Sequence, residues 1–151
     1  MERDEFIKSL GLGVALICTG SCLSSCSGDK TNDPGQAGPG KGPATGTKAT
    51  IDLATQLLTV GSFTTVSGVL FVRLAAGNAT SSFTATQADC PHQGGTLNWI
   101  AASNLIQCAL HNAQYSSAGQ VVRQPVGGGS TTALKIYPIS ISGTTLTATV
   151  V

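Results

Sequence analysis

"TTALKIYPISISGTTLTATVV", Thr131 to Val151, ends in a strict alternation: Leu146, Ala148 and Val150 are apolar, and Thr145, Thr147 and Thr149 are polar. A period of two puts one set of side chains on each face of a pleated strand. The Ser142-Gly143 pair supplies a turn, so the stretch reads as two strands, "TTALKIYPISI" and "TTLTATVV", folded back on each other. Further back, "GVLFVRL" (residues 68–74) has the dense apolar run of a buried strand, and "TSSFTATQ" (residues 80–87) is β-branched and polar with one aromatic. Glycine and proline punctuate the gaps, and no ten-residue helical stretch follows the first 26 residues. The pattern predicts an all-β domain over residues 49–151, a small antiparallel sandwich or open barrel.

Charge is scarce. The 151-residue chain has a net charge of +1, and beyond residue 48 only Arg73, Arg123 and Lys135 stand against Asp52 and Asp89. Such a surface provides no basic face for nucleic acid and no long-range pull toward an anionic membrane. The length suits one domain with a modest core.

The amino-terminal part reads differently. "SLGLGVALICTGSCL", Ser9 to Leu23, is an apolar run of fifteen residues, the length of a signal-peptide core and short for a spanning helix. It closes on "LSSC", Leu23 to Cys26, which resembles the lipobox of bacterial lipoproteins. Residues 1–25 are therefore expected to be a lipoprotein-type signal peptide, with Cys26 lipidated; an uncleaved anchor or a plain secretory signal is the alternative. "RDEFIK", Arg3 to Lys8, resembles a twin-arginine export motif with Asp4 at its second arginine, which leaves the export route open. Residues 26–48 hold Gly, Pro, Lys and Thr without apolar periodicity and form a flexible linker. Its stretched reach is roughly 75 Å.

The chemistry lies in "CPHQGG", Cys90 to Gly95, and "CALHNA", Cys108 to Ala113. With Cys18 and Cys22 in the leader and Cys26 carrying lipid, every remaining thiol and imidazole falls in one pattern: Cys-x-His, fifteen residues, Cys-x-x-His. A Cys90–Cys108 disulfide suits an oxidising compartment but leaves His92 and His111 without a role. A Cys₂His₂ zinc site has suitable donors, although zinc fingers pair Cys with Cys and His with His. One Cys and one His from each loop suit a [2Fe–2S] cluster with two chemically different irons, two thiolates on one and two imidazoles on the other. Replacing two of four thiolates by neutral imidazoles takes the oxidised cluster from −2 to zero, which raises the potential to roughly −150 to +300 mV.

These boxes resemble those of the Rieske iron–sulfur family, in both spacing and separation. The resemblance extends over roughly residues 49–151, because "QPV", Gln124 to Val126, stands where that family has a proline loop over its cluster. It implies a Rieske-like fold with two cluster-binding loops and one [2Fe–2S] cluster per chain. Cys90 and Cys108 would hold the inner iron; His92 and His111 would hold the outer iron near the surface. Around them, Tyr115 stands where the family's tyrosine donates to a cysteine sulfur, and Pro125 belongs to the covering loop. Ala113 replaces a serine whose hydroxyl bonds a cluster sulfide. High-potential members join their loops by a disulfide, but the corresponding positions here are Gly95 and Leu110. Asn112 replaces a glycine and tolerates its left-handed backbone. Trp99 reads as core, "NAT" at Asn78 as a chance glycosylation match, and "GGGS" after Pro125 as a flexible turn.

The expected role is one-electron transfer on the exported face of a bacterial membrane, periplasmic or cell-surface. The protein would be a carrier or a subunit of a respiratory or oxidase complex, an electron-transfer component rather than a complete catalyst. With both histidines used, no two-histidine, one-carboxylate iron of an oxygenase can be assembled. The partner would be a redox protein or membrane complex, either quinol-oxidising or similar in layout to the molybdenum-dependent arsenite oxidase. The alternative is a binding or structural lipoprotein holding zinc in the same four ligands.

Overall fold

The computed structural model describes residues 42–151; the signal segment 1–25, the lipidation site Cys26 and the linker as far as residue 41 lie outside the described residues. Ten strands and one 3₁₀ turn, Thr80–Ser82, are present among them, with no α-helix. Every strand pair is antiparallel.

The carboxy-terminal hairpin predicted from its alternation is formed by β9, Ile139–Ser142, and β10, Thr145–Thr149. Ser142 pairs with Thr145, so the turn residues are Gly143 and Thr144, with φ +58° at Gly143. Along β10, Leu146 and Ala148 are buried and the threonines lie outward or at the margin. β1, Lys48–Asp52, completes a sheet of order β1-β10-β9. The first predicted strand of this region is shorter than its composition suggests. From Thr131 to Pro138 only Ile136 makes a ladder contact, with Thr86, because the segment crosses from one sheet to the next.

A second sheet, β2-β3-β4, holds Phe63–Val66, Val69–Arg73 and Phe83–Gln87. β3 is buried at all five positions, as its apolar run requires. Ser67 and Gly68 both have positive φ, +50° and +76°, the geometry of a two-residue turn whose twist matches its strands. Arg73 ends β3 as a buried guanidinium without a carboxylate partner among the described residues. It donates to the carbonyls of Leu57 at 2.5 Å and Gly77 at 2.8 Å and to Asn78 Oδ1 at 2.9 Å, and lies 4.6 Å from the centre of the Phe83 ring. Three acceptors and an aromatic face offset the cost of desolvating the charge.

The third sheet, β5-β6-β7-β8, comprises Leu97–Ile100, Leu105–Cys108, Gln114–Tyr115 and Val121–Arg123. Two apolar cores result. One packs Ala49, Ile51, Phe71, Phe83, Leu146 and Val150 between the first two sheets. The other packs Leu70, Val72, Leu97, Trp99, Ile106 and Tyr115 around Cys90 and Cys108. Trp99 is core, as its setting implied, with its indole N–H buried and without a partner among the described residues.

Residues 42–47, assigned to the linker by composition, pack on the domain. The Gly46 N–H donates to the Val150 carbonyl at 2.8 Å, and Pro43 lies against Gly68. Backbone pairing and proline packing thus carry the domain edge a few residues ahead of position 49.

Candidate metal centre

Both cysteine-histidine segments are loops closed in the same way. The Cys90 N–H donates to the Gly95 carbonyl at 2.8 Å, and the Gly94 N–H returns to the Cys90 carbonyl at 2.9 Å. Eighteen residues on, the Cys108 N–H donates to the Ala113 carbonyl at 2.9 Å, and the Asn112 N–H returns to the Cys108 carbonyl at 3.1 Å. The fifth residue of each loop is left-handed, Gly94 at φ +69° and Asn112 at φ +53°. Asn112 therefore adopts the backbone expected of the glycine it replaces. An amide ladder holds it there: Gln107 Nε2 donates to Asn112 Oδ1 at 3.1 Å, and Gln114 Nε2 donates to Gln107 Oε1 at 2.8 Å. Cross-strand pairing of Gln107 with Gln114 makes the ladder possible.

The loops are tied to each other. Ala109 N–H donates to the Thr96 carbonyl at 2.9 Å, and Leu110 lies directly over Gly95. A Cβ on Gly95 would sit 2.8 Å from Leu110 Cγ and 2.7 Å from Cys108 Sγ. The two positions that carry a disulfide elsewhere in the resembling family are thus apposed here, and the leucine side chain occupies the space between them.

Cys90 and Cys108 are buried and free. Burial pushes the Cys108 thiol up, while the backbone N–H groups of Leu110 and His111 pull it back by favouring the thiolate. The imidazoles of His92 and His111 meet edge to face with centroids 5.0 Å apart. In both rings Nδ1 is buried and has no hydrogen-bond partner among the described residues. An orphaned buried nitrogen is costly unless a ligand takes its lone pair. Among the described residues no three His, Cys, Asp or Glu side chains converge on one ion.

The third wall is the segment after β8. Pro125 is buried, and the Val126 N–H donates to the His111 carbonyl at 2.7 Å. The glycines that follow are not merely a flexible turn. Gly129, at φ +81°, approaches His92 so closely that a Cβ would lie 2.6 Å from Nε2. Thr131 closes the segment, its N–H donating to Gln124 Oε1 at 2.9 Å. Its Oγ1 is 2.7 Å from the Tyr115 phenol oxygen, which in turn lies 3.1 Å from Cys90 Sγ. Burial is the main cause raising the Tyr115 phenol far above its ordinary pKa. Thr131 and the Gln107–Gln114 ladder carry no motif, and residue types alone do not reveal them.

A family model for the Rieske [2Fe–2S] domain matches residues 52–138, more than half of the chain. The chain belongs to the Rieske [2Fe–2S] family. Its domain carries one [2Fe–2S] cluster and transfers electrons through it. The iron–sulfur subunit of the chloroplast cytochrome b6-f complex of Chlamydomonas reinhardtii is 45% identical over 38 residues, 25% of this chain and 18% of that protein. The corresponding subunit of Chlorobaculum thiosulfatiphilum is 35% identical over 48 residues, 32% of this chain and 26% of that protein. The chain thus spans about a fifth to a quarter of the length of these relatives. The ferredoxin of carbazole 1,9a-dioxygenase from Nocardioides aromaticivorans IC177 shares the Rieske fold. It superposes with a TM-score of 0.51 at 20% identity, over 72% of this chain and all of that one.

Proposed function

We propose that Cys90, His92, Cys108 and His111 hold the [2Fe–2S] cluster and that the protein passes single electrons on the exported face of a bacterial membrane. The observation that carries the ligand assignment is the pair of orphaned, buried Nδ1 atoms beside two buried free thiols. Two thiolates on one iron and two imidazoles on the other supply a relatively high-potential one-electron centre when the cluster is bound. The chain's own residues exclude water from the thiolates, aim backbone N–H groups at Cys108 Sγ, and leave both imidazoles only partly covered. Electrons exchange at that histidine edge.

The wider setting rests on the sequence. A lipid on Cys26 and the linker to residue 41 tether the domain, and the b6-f relatives support a place beside or within a membrane complex. No helix among the described residues is long and apolar enough to cross a membrane. Purified protein should contain two irons and two labile sulfides and give an electron paramagnetic resonance signal on one-electron reduction. Stoichiometric zinc with no iron, from cells competent in cluster assembly, would restore the structural-zinc alternative.

Tuning follows from two positions. Ala113 is fully buried, and a serine hydroxyl there would stabilise the added electron on a sulfide more than the oxidised state. A charge-assisted hydrogen bond differs between redox states by about 1–2 kcal/mol. At 59 mV per 1.4 kcal/mol, Ala113→Ser should raise the potential by roughly 40–90 mV. Tyr115→Phe should lower it by a similar amount. Voltammetry of both variants checks this; an unmoved potential in Ala113→Ser would mean that residue 113 does not face a sulfide.

A further inference from the structure

Tyr115 sits between Cys90 Sγ at 3.1 Å and Thr131 Oγ1 at 2.7 Å, and heavy-atom distances leave the donor open in both contacts. Chemistry removes the ambiguity. A cysteine bound to iron is a thiolate, which only accepts. The one phenolic proton of Tyr115 must then point at Cys90 Sγ. Its oxygen is left as an acceptor facing Thr131, and the threonine hydroxyl has to donate to it.

Thr131 is built for that task. It is 8% exposed, so water does not compete for its hydroxyl. Its N–H is clasped by Gln124 Oε1 at 2.9 Å, which brings Thr131 back to the start of the glycine segment. No other partner of Thr131 Oγ1 lies among the described hydrogen bonds.

We propose that Thr131 is a positioning residue for electron transfer, whose hydroxyl fixes a one-way chain from Thr131 O–H through Tyr115 O–H to Cys90 Sγ. The inference rests on Cys90 being a cluster ligand. Each hydrogen bond in such a chain polarises the next and strengthens it by about 10–30%. The strengthened bond favours the electron-rich reduced state, so the threonine raises the potential through the tyrosine.

The test is voltammetry of the cluster-loaded protein. Thr131→Val and Thr131→Ala should each lower the reduction equilibrium constant about twofold, about 18 mV at 59 mV per tenfold. Thr131→Ser should keep the parent value because the hydroxyl is retained. In a Tyr115→Phe background, Thr131→Val should change nothing more, since no phenol remains to orient. A purely structural role would lower the melting temperature in both backgrounds and leave the potential alone. A rise in potential on Thr131→Val would mean that Tyr115 donates to Thr131 and is freed toward the sulfur by the substitution. A rise or an unmoved potential, with the cluster spectrum intact, overturns the relay alone. A parent protein without a [2Fe–2S] spectrum overturns the ligand assignment and the relay together.

Discussion

Cys90→Ser and Cys108→Ser should each yield protein with no iron and no labile sulfide, colourless and silent in electron paramagnetic resonance after reduction. Each thiol is at most 1% exposed and comes from a different loop, so no neighbouring donor among the described residues can take its place. A serine hydroxyl in the same space does not ionise near neutral pH and gives no thiolate. The loss should also lower thermal stability, because a cluster bound only by the folded state adds its binding free energy to folding. The full chain carrying Cys26→Ser is the natural comparison. It should keep a full complement of iron and sulfide while leaving the membrane fraction, if Cys26 carries the proposed lipid and takes no part in the proposed ligand set. Iron and sulfide assays on washed membranes and soluble extract separate the two outcomes. A serine variant of either domain cysteine that retained the intact cluster would refute the ligand set.

Gly95→Ala should be nearly as damaging, although it adds one methyl group. Gly95 does not have positive φ, so the backbone itself accepts alanine. Space is the obstacle: the new Cβ would lie 2.7 Å from Cys108 Sγ, 2.8 Å from Leu110 Cγ and 2.9 Å from Leu110 Cδ1. Leu110 is 57% exposed and can swing away. Cys108 Sγ cannot, because its loop is closed by hydrogen bonds to Ala113 and Asn112 and, as a proposed iron ligand, its sulfur would be held in place by the cluster. Overpacking of this kind costs about 1–3 kcal/mol. If that strain falls on the bound state, the cluster should bleach roughly 5- to 150-fold faster. Following visible absorbance under a chelator gives the rate. Gly95→Ala with Leu110→Ala should recover only part of the loss; complete recovery would place the clash on the leucine, and an unchanged bleaching rate would remove the steric argument.

How far the sequence alone reached follows from where its physics is local. Alternation of Leu146, Ala148 and Val150 with threonine is a property of one strand, so the β-rich class and the last hairpin were legible without coordinates. The two cysteine-histidine boxes that point to the Rieske family were legible for a related reason. Few side chains bind iron, and His92 and His111, with Cys90 and Cys108, exhaust the imidazoles and the thiols left to the domain. Even the glycine-like backbone of Asn112 could be anticipated, because left-handed geometry is tolerated residue by residue. What the tertiary structure decided lies between segments. Thr131 is an ordinary hydroxyl until the fold sets it 2.7 Å from Tyr115, sixteen residues earlier. Gly129 looks like part of a flexible run until it meets His92 Nε2, and Gln107 looks like a surface amide until it reaches Asn112. Residues 42–47 have linker composition, yet Gly46 bonds to Val150 from the far end of the chain. Composition and periodicity record what a residue prefers; a hydroxyl, an amide or a missing Cβ acquires its role from the partner that folding brings to it.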